Sequence, residues 1–135
     1  MDTLGHPNLA NALRKTLTEH GAVRLAILFG SQATGRVSAH SDLDIALLMT
    51  APLSATDKIA LIEKLAQTTG LPIDLIDLKN VGEPLLGQIM KHGVRLLGSD
   101  ENYAALLTRH LIDAADFLPY RNRILAERRR VWIGR

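Results

Sequence analysis

Apolar residues change their period along this chain, and the changes mark out elements. Leu9, Leu13 and Leu17 recur every four residues, the spacing that lines one face of a helix. Asn8 suits a cap at its start and Gly21 suits its end, so the pattern predicts a helix over 8–20. Val23 to Phe29 is nearly all apolar, with Arg24 its only charged member, and reads as a mostly buried strand. After a polar stretch over 31–41, Asp42 to Met49 reads as a second strand. Ser54 and Asp57 resemble a capping box ahead of Ile59, Ile62, Leu65 and Ala66, in a helix that ends near Gly70. Leu71-Pro72 opens a third strand running from Ile73 to Leu78. Pro84 stands at a helix start, Leu85, Leu86, Ile89 and Met90 form its apolar side, and Gly93 stops it. Val94 to Leu97 is short enough for an edge strand. Beyond Gly98-Ser99-Asp100 a helix over Glu101 to Leu118 places Tyr103, Leu107, Leu111, Ala114 and Leu118 on one stripe. Pro119 is expected to end or kink it, leaving Tyr120 to Arg135 as a basic helical tail.

Composition narrows the class. A chain of 135 residues makes one domain with a real core. Its aromatic content is only 4%, so that core is built of Leu, Ile, Val and Ala. The formal net charge of +2 argues neither for nor against nucleic acid. The absence of cysteine excludes disulfides, thiolate metal sites and a Cys nucleophile. No apolar run approaches the roughly 20 residues of a membrane span. Met1 to Pro7 lacks the basic and apolar regions of a secretory signal, so a cytoplasmic protein without a membrane segment is expected.

The candidate chemistry lies where the first two strands meet. Asp42 and Asp44 are two apart on a strand, so both carboxylates project from one face. Two anions so close repel each other unless a cation sits between them, and the hard cation suited to carboxylates and phosphate oxygens is Mg²⁺. Upstream, Gly30 would let the backbone approach a ligand closely. Ser31 could cap a short helix whose N–H groups face an anion. A phosphate cradle and a metal-binding pair thus lie one connection apart.

Gly30-Ser31, ten residues, then Asp42-Leu43-Asp44 resembles the G-S-x10-D-x-D motif of the nucleotidyltransferase superfamily that includes DNA polymerase beta. With Ala33, Gly35, Arg36 and Ser41 added, the string is similar to that of the minimal nucleotidyltransferases, and Ile45 replaces their usual final Leu. The resemblance covers roughly residues 20–98. It implies an α/β fold: a small mixed sheet of three or four strands with helices packed against it, carrying a C-terminal helical tail. The domain would occupy 1–99, with 100–135 an extension rather than a second domain.

What the resemblance implies for the site is metal-assisted nucleotidyl transfer. One Mg²⁺ would hold the triphosphate of ATP and a second would lower the pKa of the attacking hydroxyl. Asp42 and Asp44 would bind the metals, while Gly30, Ser31, Arg36 and Ser41 would bind the nucleotide. A third carboxylate would complete the metal site and take the proton. Asp74 and Asp77 are the candidates; three apart on a strand, they face opposite sides, so only one can join the pair. Ile73-Asp74-Leu75 fits the family's place for that acid, and Asp77 reads as a solvated strand end. His6, His20, His40, His92 and His110 read as surface or helix-cap residues.

Minimal nucleotidyltransferases of this kind are commonly antitoxins. The resemblance implies transfer of AMP from ATP to a tyrosine of a helical HEPN-family ribonuclease toxin, which is thereby neutralised. The tail interleaves Arg121, Arg123, Arg128, Arg129, Arg130 and Arg135 with Tyr120, Ile124, Leu125, Val131 and Trp132, a composition suited to docking a protein partner rather than RNA. Two rivals stand beside this reading. One is transfer to a small molecule such as an aminoglycoside, or to an RNA end. The other is a module that masks the toxin by contact alone.

Overall fold

The computed structural model describes residues 7–30 and 42–133. Its elements are α1 (Pro7–His20), β1 (Val23–Phe29), β2 (Leu43–Met49), α2 (Ala55–Thr69), β3 (Ile73–Asp77), α3 (Leu85–His92), β4 (Val94–Gly98) and α4 (Asp100–Ile133). The four strands form one sheet in the order β3-β2-β1-β4. β1 is antiparallel to both β2 and β4. β2 and β3 are parallel, and α2 supplies the crossover such a pair needs. The sheet is therefore mixed, with β4 on an edge as its length suggests.

Strand alternation gives the sheet two apolar faces, and helices cover both. Leu43, Ile45 and Leu47 of β2 pack with Leu13 and Leu17 of α1 and Leu61 and Leu65 of α2. Leu25 and Ile27 of β1 and Ala46 of β2 pack on the other side with Leu86 and Ile89 of α3 and Leu106 of α4. Fully burying one such leucine contributes about 1.5–3 kcal/mol. The short side chains between them let a chain poor in aromatics close both layers.

Local signals in the sequence set the helix ends. The Ser54 hydroxyl accepts from the Asp57 backbone N–H, capping α2, and Gly70 ends it at φ 73° with its N–H donated to the Ala66 carbonyl. α1 starts at Pro7, so Asn8 lies within the first turn rather than capping it; proline's fixed φ already suits the first helical position.

The C-terminal helix departs from expectation in two ways. α4 runs unbroken for 34 residues through Pro119. A mid-helix proline costs about 3 kcal/mol through its missing N–H and its ring, and the long helix on either side outweighs that loss. Its buried stripe is also rotated. Leu106 is buried and Tyr103 packs beside it, whereas Leu107, Leu111 and Ile112 are exposed. The chain offers apolar residues on adjacent stripes, and polar bonding decides between them. Arg109 donates to the carbonyls of Leu78, Lys79 and Val81 at 2.5, 3.3 and 2.8 Å. His110 pairs through Nδ1 with the buried carboxylate of Glu83. These two residues fasten α4 to the β3–α3 connection and turn Leu107 and Leu111 outward.

Candidate active site

The sheet register gathers acids at one end. Antiparallel pairing sets Phe29 of β1 opposite Asp44, and parallel pairing sets Asp44 opposite Asp74. Asp42 stands one residue ahead of β2. Asp44 shares its strand face with Ala46, and Asp74 shares its face with Ile76. Both neighbours belong to the layer under α3 and α4, so the acids open on that face. Asp42 and Asp74 are exposed and Asp44 is half-buried.

Asp44 carries the electrostatic strain. Burial raises its pKa above the ordinary carboxylate range, and the charges of Asp74 and then Asp42 raise it further. Hydrogen bonding toward Asp74 acts weakly in the same direction. Gly30 closes the other side. It adopts φ 77°, and a Cβ there would stand 2.3 Å from Asp44 Oδ2. Only glycine lets the β1 end approach this carboxylate so closely.

Asp77 behaves differently. It ends β3 on the opposite sheet face, aligned with Leu75 rather than Ile76. Its carboxylate accepts from the Lys79 N–H at 2.9 Å and from Asn80 Nδ2 at 2.7 Å, so it binds the turn that follows. A cavity of about 480 Å³ beside it, floored by Leu47 and Leu75, lies at the far end of β2 and β3 from the acids.

The residue types at the acid end fit Mg²⁺. A hard divalent cation would relieve the repulsion among Asp44, Asp74 and Asp42 that raises the Asp44 pKa. Among the described residues, no group of three or more His, Cys, Asp or Glu side chains is already arranged to hold a metal ion. Ser31, Arg36, Ser41 and His40, along with His6, lie outside the described residues. The Glu83–His110 pair was not foreseen. The two residues are 27 apart in the chain, and no local spacing signals the contact.

Comparison with known proteins places the fold in a family. The family described as polymerase beta, nucleotidyltransferase matches residues 11–102. Protein adenylyltransferase MntA of Shewanella oneidensis is 29% identical over 102 residues, which cover 76% of this chain and 71% of that protein. A toxin–antitoxin crystal structure with AMP-PNP has a chain 25% identical to this one at a TM-score of 0.78, covering 90% of this chain and 98% of that one. In the complex of tri-AMPylated Shewanella oneidensis HEPN toxin with its MNT antitoxin, a chain 24% identical shares the fold at a TM-score of 0.73, with 90% and 97% covered.

Proposed function

The chain belongs to the polymerase beta nucleotidyltransferase family, and from that premise we propose that it is an antitoxin that transfers AMP from ATP to a tyrosine of a HEPN-type toxin. The observation that carries this reading is the Asp44 carboxyl, held against Gly30 on one side and aligned with Asp74 across the β2–β3 pairing on the other. A pure masking module would gain nothing from clustered acids whose charges oppose one another. The relatives support the acceptor class: one is named a protein adenylyltransferase, and another is a toxin–antitoxin assembly with an ATP analogue.

The roles follow from position. Asp42 and Asp44, with Asp74, would hold two Mg²⁺ ions, which when bound polarise the phosphates and acidify the acceptor hydroxyl. Asp74 is exposed, and it accepts the proton of that hydroxyl. The hydroxyl oxygen attacks the α-phosphorus. A bond to phosphorus forms, the bond to the β-phosphate bridging oxygen breaks, and pyrophosphate departs. Gly30 and Ser31 grip the triphosphate, assisted by Arg36 and Ser41. The transferase domain spans 1–99 and 100–135 extends it toward the partner. No helix among the described residues is long and apolar enough to cross a membrane, and a cytoplasmic toxin is the natural target.

The test uses a HEPN-type toxin as acceptor. Incubated with this chain, ATP and Mg²⁺, it should gain AMP on tyrosine, as read by peptide mass spectrometry. An unmodified partner that is nevertheless bound and silenced would reverse the reading in favour of masking.

A further inference from the structure

α3 and α4 leave a groove between them, on the side of the sheet where the acids open. It encloses about 520 Å³ between Pro84, Gln88 and Lys91 of the α3 segment and Leu107, Leu111 and Ala114 of α4. Leu107 is 39% exposed and Leu111 60% exposed. Two large apolar side chains on one helical stripe, turned away from the core, form a surface that favours a partner.

The groove is held in shape from beneath. Gly87 lies in α3 where a Cβ would stand 3.0 Å from both Glu83 Oε2 and His110 Cε1. Its lack of a side chain lets the helices approach over the Glu83–His110 pair. Glu83 also accepts from the Gly87 backbone N–H at 3.1 Å. With Arg109 bonded to three carbonyls of the β3–α3 connection, both walls are anchored. A walled groove needs little ordering when something enters it, so most of the contact energy is available for binding.

Its place in the fold says what enters. α3 ends at His92, and Val94 just beyond pairs with Leu28, next to Phe29, which pairs with Asp44. The Lys91 end of the groove therefore points toward the acid end of the sheet. Asp44 and Asp74 open on the α3 and α4 face. A protein that brings a tyrosine hydroxyl to them over this face lies against the C-terminal end of α3, continuous with the groove. A second copy seated there would block that approach.

We propose that the α3–α4 groove seats an apolar helical segment of the toxin, and that this seating positions the acceptor tyrosine over Asp44 and Asp74. The inference rests on the adenylyl-transfer reading above. It places the core of the docking surface at Leu107 and Leu111 rather than only in the arginine-rich stretch beyond Pro119.

The experiment compares the full chain with Leu107→Glu/Leu111→Glu, using a HEPN-type toxin as probe. Both leucines are exposed, so the variant should melt like the parent and keep its affinity for ATP with Mg²⁺. Leu107→Ala/Leu111→Ala serves should the charged pair disturb folding, and Ile112→Glu, exposed on the same helix outside the groove, is the control. Calorimetry should show toxin binding weakened at least tenfold by either groove variant and unchanged by the control. Adenylyl transfer at low toxin concentration should fall in parallel and recover partly as toxin is raised. If the parent modifies the toxin and the groove variants bind it as tightly, the groove proposal fails while adenylyl transfer stands. If the groove variants change only the self-association of the chain, the occupant is a second copy and the proposal fails. If the parent neither binds nor modifies the HEPN-type protein, the adenylyl-transfer reading itself is wrong.

Discussion

Replacing Gly30 with alanine separates the two demands placed on that residue. The first is conformational. Gly30 sits at φ 77°, where a Cβ costs about 1–2 kcal/mol. The second is steric: the new Cβ would meet Asp44 Oδ2 at 2.3 Å. Ordinary contact lies near 3.5 Å, so the carboxylate must retreat by roughly 1 Å. Displacement of that size at a reacting centre costs on the order of a hundredfold in rate. Gly70→Ala provides the control. It has φ 73° and nothing within 4 Å of its Cβ position, so it carries the strain without the collision. Gly70→Ala should lose about 1–2 kcal/mol of stability, a melting temperature lower by about 3–6 °C, and Gly30→Ala at least as much. Only Gly30→Ala should lose transfer, by about a hundredfold in kcat/KM with Mg²⁺ saturating. Thermal melts and initial-rate assays on the same preparations measure both. Equal activity in the two variants would show that Gly30 does not hold the Asp44 carboxylate in its working position.

Three further outcomes follow from named contacts. Asp44 has its folded pKa raised, so ionised Asp44 opposes folding. That cost is absent below the unfolded pKa of about 3.9 and fully present above the raised folded value. Asp44→Asn should therefore melt higher than the parent near neutral pH without divalent ions, match it in acid, lose stabilisation by Mg²⁺, and lose transfer. Asp74→Asn should lose most transfer with little change in stability. Asp77→Asn, which weakens the bonds to Lys79 and Asn80, should lower stability by about 1 kcal/mol and spare most transfer; the opposite pattern in rate assays would reassign the third acid. Arg109→Ala strands three carbonyls and should cost about 2–3 kcal/mol in urea unfolding, with the first part of α4 losing amide protection.

Much of this architecture was legible because short-range chemistry dictates it. Ser54 and Gly70 cap α2 where the sequence places them, and the apolar run Val23–Phe29 is a strand end to end. The opposed faces of Asp74 and Asp77 follow from strand alternation alone. What was not legible depends on partners far along the chain. Leu107 and Leu111 have the spacing of a buried stripe, yet they are exposed because Arg109 and His110 find acceptors 27 to 31 residues away. The Asp44–Gly30 contact required the β1–β2 register, which no motif spacing supplies. Pro119 carries a local stop signal that a 34-residue helix overrides.

The central claim is that this site moves the α-phosphoryl group of ATP, with its nucleoside, onto a protein hydroxyl. ATP labelled at the α-phosphate and ATP labelled at the γ-phosphate, offered in parallel with Mg²⁺ and a HEPN-type toxin, test it most directly. Label from the α-phosphate alone should become protein-bound, pyrophosphate should be released, and Asp44→Asn should abolish both. Protein-bound label from the γ-phosphate, or undiminished α-label with Asp44→Asn, would contradict it.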